Sequence, residues 1–458
     1  MANNPALQRP QRPNSPRPQT RHNTNNQPNR PQNNRGNGRG NRNGNRGGNG
    51  GGNGNNNPKP SPWLDADNEP RPDSSAGFVE YLRWMRPPEH PQKDGTKVQI
   101  LSQAESNADY QQRLQQYNDR IRHIAGKENT FTVTTTWRVR VGGHRGPENI
   151  LLPAFDHLGM PYLPSSTLRG VARTQAIQEI MAQEGVAWKT AEEKVAPYFG
   201  SINTANPANK AGKVVFLDAY PVPKNKDAGL AMDMTNNIWS WDGNQLTYNP
   251  NPNSFFSLQD VQFLVGLRLA SGCRDNQVLK QVKQWLLQGL EAGVGSQVNT
   301  GYGQLTVNNN RQSNNEFLRI SFGLEGQLIH GCQRFQEWKL KKNQWQPQSF
   351  PQPEVRPVAF KSMLRYWFRA FALGVLSPEQ VQDWEATIFG GINPQRRGYL
   401  QVRIENPELK QKPPRGKNDH RGEQSGVLIL GFSSETIASQ KQTLQSLLES
   451  LTWMMFQL

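Results

Sequence analysis

Ser165, Ser166 and Thr167 stand directly before Leu168-Arg169-Gly170-Val171-Ala172-Arg173. Hydroxyls at a helix start, with the free backbone N–H groups there, make an anion site. Arg169 and Arg173 are four positions apart and share one helix face. Such a set would grip consecutive phosphates; the plainer alternative is an ordinary helix start with two solvated arginines. The arrangement recurs at Lys361, Ser362, Arg365 and Arg369, which favours the phosphate grip. A second set is the run from Gly293 to Gly303, with glycines at 293, 295, 301 and 303 and Tyr302 between the last two. Dinucleotide and P-loop glycine runs follow a strand and open a helix, whereas this one follows an expected helix and leads into an expected strand. It reads either as a helix C-cap with a bulged strand entry or as a loop laid along a polynucleotide backbone, and the second reading is preferred. Acid–base or metal chemistry finds less to work with. His144, His157 and His330 are single histidines in loops, Glu148 has no carboxylate partner in its loop, and Asp156 reads as a residue that orders a turn. Metal-assisted cleavage wants clustered carboxylates, and general acid–base cleavage a poised histidine. The chain is therefore read as non-catalytic, with no cofactor or metal, and ribonuclease activity is the alternative.

The elements that carry these residues occur twice. Leu-Arg-x-x-x-Arg is followed by Phe199-Gly200-Ser201-Ile202-Asn203 in the first half and by Phe389-Gly390-Gly391-Ile392-Asn393 in the second. The gaps from the second Arg to Phe are 26 and 20 positions, so two copies of one domain are expected. The Phe-Gly pairs are assigned to structure, as a buried ring at a tight turn. In the first unit, β-branched alternation predicts strands over 131–141, 213–217, 261–269 and 304–307. Helices are predicted over 165–183 and 275–292, the latter with Val278, Val282, Leu286 and Leu290 on one face. Residues 222–257, rich in Asn, Pro and Trp, are expected to form a long loop or insertion. The second unit is expected to have strands at 317–329, 399–405 and 427–432 and helices at 360–374 and 435–455. The order β-α-β-β-α-β matches a ferredoxin-like, RRM-like α+β sandwich, here in tandem. The expected organisation is a tail over 1–75, a helical docking or packing extension over 76–128, and two domains over 129–312 and 316–458.

The chain of 458 residues has a net charge of +16 and a pI near 9.9. Residues 1–60 hold nine Arg, Lys59 and no Asp, Glu or aromatic residue, so they carry +10 and leave +6 for the remainder. This Asn/Gly/Arg/Pro tail lacks the apolar surface to offset its ordering entropy and is expected to be disordered. It serves either as a loose RNA-binding arm or as a solubilising segment. Two cysteines in different halves suggest neither a zinc site nor a disulfide framework, which fits a reducing, cytoplasmic setting. No apolar run is long enough to span a membrane.

Pro161-Tyr162-Leu163-Pro164-Ser165-Ser166-Thr167-Leu168-Arg169-Gly170 resembles the P-Y-[IL]-P-[GS]-S-[ST]-[LI]-[KR]-G motif of the RAMP superfamily, whose members build type III CRISPR effector complexes. The loop at 293–303 resembles the glycine-rich signature of that superfamily. The run from Gly212 to Pro221 resembles the subunit that caps the crRNA 3′ end in type III-B complexes. Arg356-Pro357 and the stretch from Phe360 to Arg369 are similar to the first RAMP subunit of the same complexes. The resemblance implies crRNA and target RNA as ligands and other RAMP subunits as partners. RNA would be held by Ser165, Ser166, Thr167, Arg169, Arg173, Gly293, Gly295, Gly301, Tyr302, Gly303, Lys361, Ser362, Arg365 and Arg369. The second unit stops in its last helix, so its own glycine loop and final strand are expected to be missing or supplied by a partner.

Overall fold

The computed structural model describes residues 58–143, 146, 150–307, 315–392, 395–416 and 419–457. Most of the Arg-rich tail, and the loop residues His144 and Glu148, lie outside these described residues. Residues 58–75, assigned to the tail from composition, lie against the helical extension instead: Trp63 is buried, and the Leu64 amide donates to Trp84 O (2.7 Å). The extension comprises α1 (Phe78–Leu82), α2 (Lys93–Asn107) and α3 (Gln111–Ala125). It belongs to the core of the first unit. Leu114, Ile121 and Ala125 of α3 cover one face of the first sheet. At Gly266 a Cβ would meet Ile121 Cγ2 at 2.7 Å, so glycine sets how closely the helix approaches. Asn118 donates to Pro221 O (2.8 Å) and fixes α3 along its axis.

The first unit runs β1 (Thr130–Thr135), β2 (Arg138–Val139), α4 (Ser165–Glu184), α5 (Trp188–Phe199), β3 (Val214–Phe216), β4 (Tyr220–Pro221), β5 (Leu230–Asp242), β6 (Gln245–Gln259), β7 (Gln262–Leu269), α6 (Asn276–Ala292) and β8 (Leu305–Thr306). Its main sheet has the order β8-β1-β7-β3, with every pair antiparallel and β4 also on β7. α4 and α6 pack together over the other face of this sheet. Gly289 permits the contact, since a Cβ there would come within 2.6 Å of Val171 Cγ1. Two expectations are corrected. The strand expected over 131–141 breaks after Thr135, and Arg138–Val139 leaves the main sheet to pair with β6. The loop expected over 222–257 is a long β-hairpin, β5–β6, turning at Gly243-Asn244.

The second unit runs β9 (Glu316–Gln327), β10 (His330–Lys341), β11 (Gln344–Pro353), α7 (Pro357–Ala372), α8 (Pro378–Phe389), β12 (Gly391–Ile392), β13 (Gln395–Arg396), β14 (Leu400–Gln411), β15 (Arg421–Phe432) and α9 (Lys441–Gln457). Its sheet has the order β14-β15-β9, all antiparallel, with a core of its own under α7 and α9. Among the described residues no strand lies on the far edge of β9. α7 begins one turn earlier than expected, at Pro357, where proline's fixed φ and missing N–H suit the first helical position. The hairpin β10–β11 and the short helices α5 and α8 were not anticipated.

Each unit lends a hairpin to the other. The tip of β5–β6 reaches α8, where Trp241 Nε1 donates to Glu385 (3.0 Å) and Gln382 donates to Gly243 O (3.0 Å). β10–β11 reaches back to α2, where Trp338 Nε1 donates to Gln99 (2.7 Å) and Arg334 pairs with Glu105 (3.1 Å). Between them lies a buried ionic network. Arg356 binds Asp233 (2.8 Å) and Glu354 (2.7 Å), and Arg138 binds Glu354 (2.7 Å) and Ser257 (2.8 Å). Burial disfavours the Asp233 carboxylate, but the Arg138 and Arg356 charges outweigh it and hold its pKa below the ordinary value.

Candidate functional site

The repeated arginines do the same work in both units, and it is architectural. In the first unit the Arg169 guanidinium donates to the Phe199 carbonyl, and Arg173 pairs with Glu192 (2.5 Å). In the second, Arg365 donates to Phe389 O (3.1 Å) and Gly390 O (2.9 Å), and Arg369 makes two 2.6 Å bonds to Glu385. The first Arg of each motif therefore caps the C-terminal carbonyls of the following helix, where the dipole favours a cation. The second Arg ties that helix alongside. The Phe-Gly element is the receptor, with Gly200 and Gly390 at φ 77° and 91° turning the chain away. Each of these guanidinium groups has a partner within its own fold; Arg369 is buried, Arg173 and Arg365 are half-buried, and Arg169 remains exposed.

The helix start differs from expectation in the same way. Pro164 is the N-cap of α4 and no hydroxyl caps it. The Ser165 amide instead donates to the Asp218 carboxylate (2.6 Å), so the chain supplies its own anion at this end. Ser166 remains exposed and Thr167 half-buried. In the second unit Lys361 and Ser362 lie in the second turn of α7, not at its start. Ser362 is exposed. Lys361 is buried, and its Nζ donates to Asn299 O (3.1 Å) and Leu400 O (2.9 Å). Burial, with Arg365 nearby, lowers its amine to about 7. Lys361 thus fastens the second unit to the glycine loop of the first.

That loop is shaped chiefly by its own protein. A Cβ at Gly303 would run into the Val294 carbonyl, and one at Gly301 would lie 2.8 Å from Pro357 Cγ of α7. Tyr302, placed in the binding set by sequence, is 1% exposed, and its hydroxyl donates to Asp233 (2.8 Å). It belongs to the buried network. Gly301 and Gly303 are buried with it, whereas Gly295 is exposed and Gly293 half-buried.

Gly293 and Gly295 face a cleft of about 870 Å³ between the two units. One wall is the outer face of α4, with Thr167, Gly170, Val171, Thr174 and Gln175. The facing wall is the open face of the second sheet, with Gln401 and Arg403, and Arg397 in the segment just before β14. Gln401 and Arg403 alternate with buried Leu400, Val402 and Ile404, a period-two pattern visible in the sequence. Arg403 pairs with Glu316 (2.5 Å), while Arg397, 62% exposed, stands 3.6 Å from Glu435 at the mouth. The lining is mostly hydroxyl and amide groups, with the cations Arg397 and Arg403 and one carboxylate, Glu291. It can hydrogen-bond sugar and phosphate oxygens. Of the sequence-predicted set, Thr167, Gly293 and Gly295 reach it.

The catalytic candidates that are described lie elsewhere. The Asp156 carboxylate accepts from the Leu158 and Met160 amides (2.9 Å each) and from Tyr220 (3.0 Å), so it orders its turn. His157 is exposed. His330 stands edge-on to His420 at 5.4 Å, and its pKa is lowered by burial and by that neighbour. Among the described residues no three His, Cys, Asp or Glu side chains gather as a metal site, and no helix is long and apolar enough to cross a membrane.

Comparison with known proteins gives a family for the first unit. No curated protein matches the chain. A type III-B Cmr-beta complex, solved by cryo-electron microscopy bound to cognate target RNA, contains a chain 19% identical to this one. That match covers 50% of this chain and 78% of the other, with a TM-score of 0.35. Cmr6 from Pyrococcus furiosus is 21% identical over 39% of this chain and 95% of its own, with a TM-score of 0.25. The model of the RAMP superfamily matches residues 130–306, from β1 to the end of β8. The first unit is therefore a domain of the RAMP superfamily.

Proposed function

We propose that the chain is a non-catalytic RNA-binding subunit of a type III CRISPR effector complex, working in the cytoplasm with crRNA, target RNA and other RAMP subunits. In this reading both units are ferredoxin-like, and the first takes a place like that of the subunit capping the crRNA 3′ end. The strand order β8-β1-β7-β3 supports this for the first unit, and β9-β15-β14 supports the same path in the second.

The observation that carries the proposal is the polar cleft bounded by the RAMP domain's glycine loop, α4 and the second sheet. RNA lies in it against Thr167, Thr174, Gly293 and Gly295 on one side and Gln401 and Arg397 on the other. Contacts of this kind position a backbone without reading its sequence, which base pairing to a guide does. The repeated arginines contribute indirectly, by fixing α5 and α8 so that the walls keep their spacing.

Binding of a fluorescent guide-length RNA, followed by anisotropy at rising salt, tests this. Thr174→Glu and Arg397→Glu each place a carboxylate in the cleft without disturbing a core contact. Each should weaken binding by roughly tenfold or more, the scale of a charge-assisted contact, with unfolding temperature unchanged. Affinity unchanged in both variants would refute the cleft as the RNA site.

A further inference from the structure

Five arginines among the described residues are buried, and four of them have their charge met inside the fold. Arg86 donates to Thr96 Oγ1 (2.8 Å) and Lys93 O (2.7 Å). Arg138 and Arg356 share Asp233 and Glu354, and Arg369 holds Glu385. Arg140 is the fifth. It is 8% exposed, yet among the described residues its Nε has no acceptor and no carboxylate pairs with it. Its guanidinium carbon lies over the Phe255 ring at 5.1 Å. Burial pulls its pKa down. The same burial acts on Arg138 and Arg356, but Asp233 and Glu354 more than reverse it there. An arginine in a protein does not escape burial by losing its proton. It needs an oxygen, and a buried charge without one is strongly destabilising.

The chain around Arg140 leaves room for that oxygen to come from outside. Arg140 follows β2 and lies directly behind the glycine loop: its carbonyl accepts from the Ser296 amide (3.0 Å) and hydroxyl (3.2 Å), and a Cβ at Gly295 would run into that same carbonyl. Gly295, on the wall of the cleft, is exposed, and so are Gly142 and Gly143, which come next after Val141. Glycines on both sides allow an outside group to approach closely. We infer that Arg140 is a phosphate-binding residue, whose guanidinium takes one phosphodiester of the RNA where the strand leaves the cleft over Gly295. This rests on the RNA reading of the cleft and adds to it a residue outside the cleft lining. The planar fork of an arginine matches the two free oxygens of a phosphodiester. The cations of the cleft itself stand beside carboxylates, Arg403 with Glu316 and Arg397 near Glu435, so Arg140 is the arginine whose charge is left for the ligand. Its water-poor surroundings strengthen the bond once the phosphate arrives.

The test uses the full chain and a guide-length RNA carrying a single uncharged methylphosphonate linkage, moved along the strand and followed by anisotropy. Arg140→Met should bind the unmodified RNA about tenfold more weakly, the scale of one charge-assisted contact. At one linkage position the methylphosphonate should weaken wild type about tenfold and Arg140→Met not at all, the non-additivity of two groups in contact. Arg140→Lys keeps the charge without the fork and should show the same position with a smaller loss. Without RNA, Arg140→Met should unfold at or above the wild-type temperature, because an unpaired buried charge is gone. A lower temperature would reveal an internal partner and overturn the inference. Wild-type RNA affinity in Arg140→Met, the result expected if an acidic protein fills the site, would overturn it too, and so would the lack of any linkage position where the two losses merge. Loss in Thr174→Glu and Arg397→Glu without loss in Arg140→Met leaves the cleft standing and removes this inference alone. Wild-type affinity in those two with a merged position for Arg140→Met would refute the cleft and keep Arg140 as a phosphate contact.

Discussion

The two copies of the arginine clamp differ in exposure. On the first unit the Arg173–Glu192 pair sits at the surface, its side chains 31% and 36% exposed; on the second the Arg369–Glu385 pair is interior, at 9% each. The sequence motif is the same, but Arg173 makes one bond to its glutamate where Arg369 makes two, and the cover differs. The β5–β6 hairpin of the first unit lays Trp241 over the second clamp, its indole donating to Glu385 and its ring 5.9 Å from the Arg369 guanidinium. A motif can thus be repeated for architecture, and its energetic weight then set by which neighbour closes over it. A buried ion pair adds little net stability over a well-packed apolar one, yet breaking it strands a charge.

The contrast predicts unequal costs for equal substitutions. Arg369→Ala should destabilise by about 3 kcal/mol, because Glu385 is left buried with only the Trp241 indole and Arg365, 3.7 Å away, to face its charge. Denaturant unfolding measures it, and a cost near that of the surface copy would break the comparison. Lys361, whose counterpart in the first unit is the non-titrating Ser165, should give a pH signature. Its folded amine titrates near 7 against an ordinary 10.5. Between those values the unfolded chain holds a proton that the folded chain lacks, so stability rises with pH by about 1.4 kcal/mol per unit. Below pH 7 both states are protonated and the burial penalty is felt in full. Lys361→Met should lack this slope, so wild type should gain on it as pH rises from 7 to 10. A constant difference would contradict the buried, uncharged amine. Trp241→Ala should sharpen the comparison by opening the second clamp to water. In a double-mutant cycle with Arg369→Ala the coupling should be about 1–2 kcal/mol, within the usual range for residues in contact. Additive costs would mean that the tryptophan is not the cover. Smallest of all, Arg173→Ala should cost about 0–1 kcal/mol, as exposed pairs do.

How much of this was legible in the sequence follows from the physics of each element. Strong periodicity marked α6, whose N-cap Asp275 accepts from the Gln277 amide (2.9 Å), and the paired motifs marked α4 and α7. The β5–β6 hairpin was hidden because Asn236, Asn237, Asn251 and Pro252 interrupt its alternation; Asp242-Gly243 was its one turn signal. Prolines at 347, 351 and 353 masked β11 in the same way, since edge strands tolerate them. The site was less legible than the fold. Arginines at i, i+4 after a hydroxyl cluster suit phosphates and helix ends equally, and only the fold shows Phe199 O, Phe389 O and Glu385 within their reach. Asp218, which takes the α4 amide, and Asp233, which takes Tyr302, are single carboxylates with no local pattern. The cleft itself arises between two units, so no window of sequence contains it.

The central claim is that RNA lies between the units and not along the repeated arginines or the basic tail. Ultraviolet cross-linking of the full chain to a guide-length RNA, followed by identification of the modified peptides, tests it most directly. The account predicts adducts within 167–178, 288–304 and 397–403. Adducts confined to the Arg-rich residues 9–46, with none on those three segments, would contradict it.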